Sequence, residues 1–178
     1  MPDEISIEPY NSRWPLLFEE EKLTLREIFR DGNVIAIEHF GSTSVPGLPA
    51  KPIIDILIVV RAFAQAKSTY VSLLKPLEYV YWDGDPEGDV HMFFVKGMPP
   101  FGKKRTHHIH LVQYDNKKFT DRLKFRDYLH SNPQDALAYA KLKKNLAVLH
   151  PEDREAYTDA KSGFIKTIMD KIDTRQNT

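Results

Sequence analysis

The chain has no cysteine. That excludes a disulfide framework, a thiolate metal site and a cysteine nucleophile, and a reducing compartment such as the cytoplasm fits the composition best. Net charge is also absent, with 25 Lys and Arg balancing 25 Asp and Glu over 178 residues. Such balance argues against a nucleic-acid coat or a membrane-surface protein, yet leaves room for a local basic site. Long apolar runs are missing too. The longest, Ile53 to Val60, is interrupted by Asp55 and falls far short of the roughly 20 residues of a membrane helix. Met1 to Tyr10 carries Asp3, Glu4 and Glu8, which is not the pattern of a signal peptide. What is present is 42% apolar residues, enough for one domain with its own core. We therefore expect a cytoplasmic, membrane-free protein.

Periodicity divides the chain in two. Trp14, Leu17, Phe18, Leu25, Ile28 and Phe29 recur at helical spacing and predict a helix over about 12–30, with Pro15 in its first turn and Asn11 or Ser12 as cap. The period then changes, and strands are expected at 34–40, 53–60, 79–82, 91–96 and 106–113, with a helix over 63–77 between the second and third. From Lys118 onward the pattern is helical: about 120–130, 134–149 and 152–172, with breaks at Asn132-Pro133 and His150-Pro151. The tail from Asp173 reads as disordered. This predicts a single α+β domain: a small mixed sheet of about five strands with flanking helices in 1–117, and a C-terminal helical segment in 118–172.

The loop from Gly41 to Pro52 concentrates the chemistry. Glycine lets a ligand approach the backbone, Ser42, Thr43 and Ser44 supply hydroxyls and amides for an anion nest, and Lys51 adds a cation. Asp55 then sits inside an apolar strand. A buried carboxylate needs a partner or a ligand; an ion pair with Lys51 or a nearby arginine is the plain alternative.

Gly41-Ser42-Thr43-Ser44-Val45-Pro46-Gly47-Leu48 followed by Ala50-Lys51-Pro52-Ile53-Ile54-Asp55-Ile56 resembles the signature of the GrpB family. Ile7-Glu8-Pro9-Tyr10-Asn11 with Trp14, Leu123 to Leu129, and Glu155 to Lys161 extend the resemblance over nearly the whole chain. It implies a nucleotidyltransferase-like fold. In active members of that superfamily a Gly-Ser pair holds nucleotide phosphates, while an Asp-x-Asp strand and a third carboxylate hold Mg²⁺ for phosphoryl transfer. Gly41-Ser42 and Asp55 match the first parts. The rest departs: Leu57 stands two residues beyond Asp55, and the later strand carries His107, His108 and His110 in place of an acid. Resembling domains also occur fused to dephospho-CoA kinase, which implies a link to coenzyme A biosynthesis.

His108 and His110 alternate along a strand and so share a face. With Asp55, and with His39 at the end of another strand, they are candidate ligands for a transition metal, since imidazole suits such ions better than Mg²⁺. Asp55, His108 and His110 are the candidate catalytic groups. Gly41, Ser42, Thr43, Ser44 and Lys51 are the candidate phosphate contacts, joined by Arg105 and Arg126 because a guanidinium binds phosphate bidentately. Tyr157 and Lys161 share one helical face; the plain reading has Tyr157 in the core with Lys161 reaching outward. The expected ligand is a nucleotide or other phosphorylated small molecule, with a divalent metal, Mg²⁺ or a transition ion, as candidate cofactor. Three functions fit: metal-assisted nucleotidyl transfer, a non-catalytic accessory binding module, or a His/Asp metal-dependent hydrolase.

Overall fold

The computed structural model describes residues 5–84 and 88–176. Helix α1 (Trp14–Ile28) has Pro15 in its first turn, where the missing N–H costs little. Strand β1 (Val34–Phe40) follows a turn in which Gly32 adopts φ 73°. Next come β2 (Ile54–Val60), α2 (Phe63–Leu74), β3 (Tyr79–Trp82), β4 (His91–Lys96) and β5 (His107–Gln113), then α3 (Lys117–Ser131), α4 (Pro133–Leu149), α5 (Arg154–Asp159) and α6 (Ser162–Gln176). Among the described residues no helix is long and apolar enough to cross a membrane.

The sheet order is β1-β2-β5-β4-β3. Only the β2–β5 pair is parallel, so the sheet is mixed, as expected. β2 lies second from one edge with neighbours on both sides, which suits its β-branched run. Register decides which side chains meet. Phe40 pairs with Asp55, Asp55 with His108 and His108 with Val95; in the next row but one, Leu57 pairs with His110 and His110 with Phe93. Side chains alternate across a sheet, so Asp55, Leu57, His108 and His110 share one face. His39 and His107 fall on the other.

Each face has its own cover. On the side away from Asp55, α1 and α2 bury Trp14, Phe18, Leu25, Tyr70 and Leu74 against Ile54, Ile56, Ile58, Ile109 and Leu111. On the Asp55 side, Phe119 of α3 packs with Phe40, Leu57 and Val112. A third cluster joins α3, α4 and α6 through Tyr128, Leu129, Tyr139 and Ile168, and takes in Val45 and Leu48. Burying each such aliphatic side chain contributes about 1.5–3 kcal/mol. The loop after β1 is thus clamped between the sheet and the helical segment.

Two expectations change. The helix expected over 152–172 is two helices, broken at Ala160-Lys161. The break lets Tyr157 pack with Ile5 and Leu146 while Phe164 and Ile168 join the other helical cluster. The tail is not disordered from Asp173: α6 runs on to Gln176, and Arg175 lies over the Tyr128 ring at 5.2 Å and donates to Asn132. Residues 85–87, between β3 and β4, lie outside the described residues.

Asn33, 4% exposed, closes the β1–β2 pair. Its Oδ1 accepts from the Ala62 N–H at 2.8 Å and its Nδ2 donates to the Ala62 carbonyl at 3.0 Å. Asn33→Ala leaves both backbone groups without these partners, so we expect a loss of about 1–3 kcal/mol in a urea melt. A change below about 0.5 kcal/mol, the usual size of a surface substitution, would show that water replaces the amide.

Candidate functional site

β1 ends at Phe40, and Gly41 turns the chain with φ 72°. L-residues rarely adopt that conformation, and the Asp55 carboxyl occupies the space where a side chain at 41 would start. Glycine therefore brings the turn directly against Asp55. Ser42–Ser44 form one 3-10 turn. The Ser44 hydroxyl donates to the Gly41 carbonyl at 2.6 Å. Thr43, 1% exposed, donates to the Ile53 carbonyl at 3.2 Å and accepts from His39 Nε2–H at 3.0 Å. These two hydroxyls hold the turn in place. Ser42 instead stands beside Tyr139.

Behind the turn lies a cavity of about 170 Å³, lined by Gly41, Ser42, Lys51, Asp55, His108, Tyr139, Lys143, Tyr157 and Lys161, with Thr43 in its floor. Asp55 is its one carboxylate among the described residues, and accepts from His108 Nδ1–H at 3.1 Å. Burial pushes the Asp55 carboxyl up, but the His108 bond and charge, Lys51 and His39 outweigh it and hold the group below its ordinary value. His108 Nε2 is buried without a hydrogen-bond partner. Facing Asp55 are three amines. Burial lowers Lys51 to about 8, helped by Arg154 and Lys161. Burial lowers Lys143 to about 7, helped by Lys161 and Lys51. Burial also lowers Lys161 to about 8, where Asp55 opposes and Arg122 adds to the shift. Lys51 and Lys161 lie over the Tyr157 ring at 5.0 and 4.4 Å, and Lys143, 2% exposed, donates to the Pro49 carbonyl.

Gly41, Ser42, Tyr139 and Lys161 also line a second cleft of about 500 Å³, walled by Phe40, Phe125, Leu129, Ile165 and Met169, with Arg122 and Lys118 among its polar groups. The two spaces therefore adjoin at these four residues.

Other expected residues are elsewhere. His39 is on the far face, stacked on Phe18 at 4.7 Å and bonded to Thr43, so it does not join His108 and His110. Burial lowers it to about 4, with Asp55 opposing and Arg126 assisting. His110 shares the face of Asp55, and Asp55, His108 and His110 offer donor atoms within 4.8 Å of one another. Yet His110 is outside the cavity wall, packed on Phe40, Phe93 and Phe119 and hydrogen-bonded to His91 at 3.0 Å. Burial and Arg122 keep it well below its ordinary value. Arg126 is held by Glu38, Asp127 and the His39 carbonyl, and reaches only the larger cleft. Arg105 lies over Trp82 at 5.9 Å, away from the cavity wall. Ser44 closes the turn rather than lining the cavity. Lys143 and Tyr139 were not expected in the site. Their signal was a lysine on an apolar helical stripe, Tyr139, Lys143 and Leu146 at i, i+4 and i+7.

The family model described as GrpB protein matches residues 4–171. This chain belongs to the GrpB family. It is 43% identical over 168 residues to the UPF0157 protein PA4798 of Pseudomonas aeruginosa, across 94% of this chain and 67% of that protein. It is 41% identical over 162 residues to the UPF0157 protein YqkA of Bacillus subtilis, covering 89% of this chain but only 44% of that protein. A dephospho-CoA kinase of Mycobacterium leprae is 30% identical over 155 residues, 74% of this chain and 37% of the kinase. The crystal structure of GrpB from Enterococcus faecalis superposes with TM-score 0.84 at 35% identity, covering 97% of this chain and all of that one. The Cid1 poly(U) polymerase with MgGTP bound superposes with TM-score 0.53 at 13% identity, over 79% of this chain and 44% of that chain. That likeness gives this chain a nucleotidyltransferase-like fold and nothing finer.

The position of His39 has a pH consequence. A histidine kept neutral by the fold takes up its proton first in the unfolded chain, so its contribution to stability is present above pH 6.5 and is lost as pH falls towards 4. Urea melts across that interval should lose stability in the wild type and lose less in His39→Gln. Parallel curves would show that His39 is no more buried in solution than a free imidazole.

Proposed function

We propose that this chain binds a nucleotide, or another phosphorylated small molecule, at the Gly41 turn. The observation that carries the reading is the convergence of Lys51, Lys143 and Lys161 on a small cavity with one carboxylate, itself engaged by His108. Buried ammonium groups are costly without counter-charge, and the wall supplies too little. An anion completes it. The phosphates enter the smaller cavity beside Ser42 and Lys161, and the body of the ligand extends over the apolar wall of the larger cleft.

The fold family implies Mg²⁺ on several carboxylates. Here Leu57, 1% exposed, follows Asp55 on the same face, and His108 and His110 stand on β5. Mg²⁺ prefers oxygen ligands, so a single carboxylate does not fit a two-Mg²⁺ site. This favours the binding module over metal-assisted transfer. A second reading, a transition ion held by Asp55, His108 and His110 in a hydrolase, draws support from their mutual distances and from the buried Nε2 of His108. The three lysines oppose it, because they raise the cost of another cation beside Asp55. The likeness to a dephospho-CoA kinase makes coenzyme A precursors one phosphorylated class to include.

Calorimetry with ATP, pyrophosphate and dephospho-CoA tests the reading. Lys161→Ala, which alters both cavities, is expected to weaken binding about tenfold or more, since a charge-assisted contact contributes about 1.5–3 kcal/mol. Met169→Glu, on the wall of the larger cleft alone, should weaken ATP while sparing pyrophosphate. If none of the three compounds binds the wild type, the phosphate reading is wrong.

A further inference from the structure

A nucleotidyltransferase-like site with one carboxylate has to neutralise its ligand by some means other than paired Mg²⁺ ions. The lysines supply it. Lys51 comes from the loop before β2, Lys143 from α4 and Lys161 from the break between α5 and α6, so three separate segments each send one amine to one cavity. Against them stands Asp55, so with all three amines protonated the wall holds two positive charges in excess. Ion pairing within the wall cannot absorb that excess. Lys51 and Lys161 rest on the Tyr157 ring and Lys143 on the Pro49 carbonyl, neither of which carries charge. The other charged groups acting on these amines are Arg154, Arg105 and Arg122, all cationic, and among the described residues Asp55 is the one acid that acts on them.

We propose that Lys51, Lys143 and Lys161 neutralise a polyphosphate ligand directly, so that the site binds it without a divalent cation and takes up protons as it binds. This rests on the phosphate reading of the cavity. Before binding, crowding and burial make the amines give up protons readily. A bound polyphosphate reverses that balance, because an opposite charge within a few ångströms favours the ammonium form. The ligand class is then a di- or triphosphate in its metal-free form. A monophosphate carries too little charge for three amines, and a magnesium complex brings a cation to a wall already in positive excess.

The test uses the whole chain and ATP. Calorimetry is run in EDTA and in excess Mg²⁺, from pH 7.5 to 9.5, each point in two buffers of different ionisation enthalpy. The expected result is binding in EDTA at least as tight as in Mg²⁺, an affinity that falls more than tenfold over that pH range, and a heat that changes with buffer in the sense of proton uptake. Lys143→Met should weaken binding and flatten the pH dependence; should it fail to fold, the wild-type comparison stands by itself. Binding that requires Mg²⁺, or that is tight in EDTA but indifferent to pH and buffer, overturns the lysine proposal and leaves the phosphate reading standing. ATP, pyrophosphate and dephospho-CoA all failing to bind under every condition would overturn the two together.

Discussion

One hydrogen bond, from His108 Nδ1 to Asp55 at 3.1 Å, sits where every layer of this protein meets. It exists because β2 and β5 run parallel with Asp55 opposite His108. It orients a carboxylate that Gly41 permits the chain to pass closely and that three lysines face. Remove the charge of Asp55 and the lysines face one another with no acid among them. Breaking a buried charge pair by deleting one partner costs about 3–5 kcal/mol. The carboxylate is thus structural counter-charge as well as site, and a reading that treats it only as a metal ligand leaves the lysines unexplained.

The helical segment is not an appendage. Val45 and Leu48 of the loop are buried among Tyr128, Leu129, Tyr139 and Ile168, so α3, α4 and α6 hold the Gly41 turn from one side while the sheet holds it from the other. The same helices deliver Tyr139, Lys143 and Lys161. Fold stability and site geometry therefore rest on the same contacts. The broken helix matters for this reason: Tyr157 and Phe164 pack in different clusters, and Lys161 lies in the break between them.

A comparison with active nucleotidyltransferase-like sites turns on charge. Two metal ions in such a site supply positive charge at the phosphates and depend on several carboxylates. This chain has a glycine turn and one aspartate, has Leu57 buried two residues beyond that aspartate, and has histidines on β5. Its positive charge comes from side chains. Under the proposed reading, these donors suit holding a phosphate more than positioning two metal ions for its transfer.

Much of this was legible along the chain. Alternation and helical spacing marked each strand and most helices, because burying one face imposes its period on the residues. The Gly41 turn, Lys51 and Asp55 stood out since a glycine before hydroxyls, and a carboxylate in an apolar run, are each costly without a purpose. His108 and Asp55 were candidates for one site, but the β2–β5 register is what sets them opposite one another. His39 misled for the same reason: a strand's parity tells which neighbours share its face, but the sequence does not say how β1 aligns with β5. Lys143 shows the opposite limit. On a helical wheel it is a lysine intruding on an apolar stripe; only packing α4 against the loop reveals that its amine enters a cavity shared with Lys51 and Lys161. Residue type and period determined the elements and the chemistry available. Which charges face one another was decided by tertiary structure alone, because charge balance is a property of a closed surface and its contributors lie far apart in sequence.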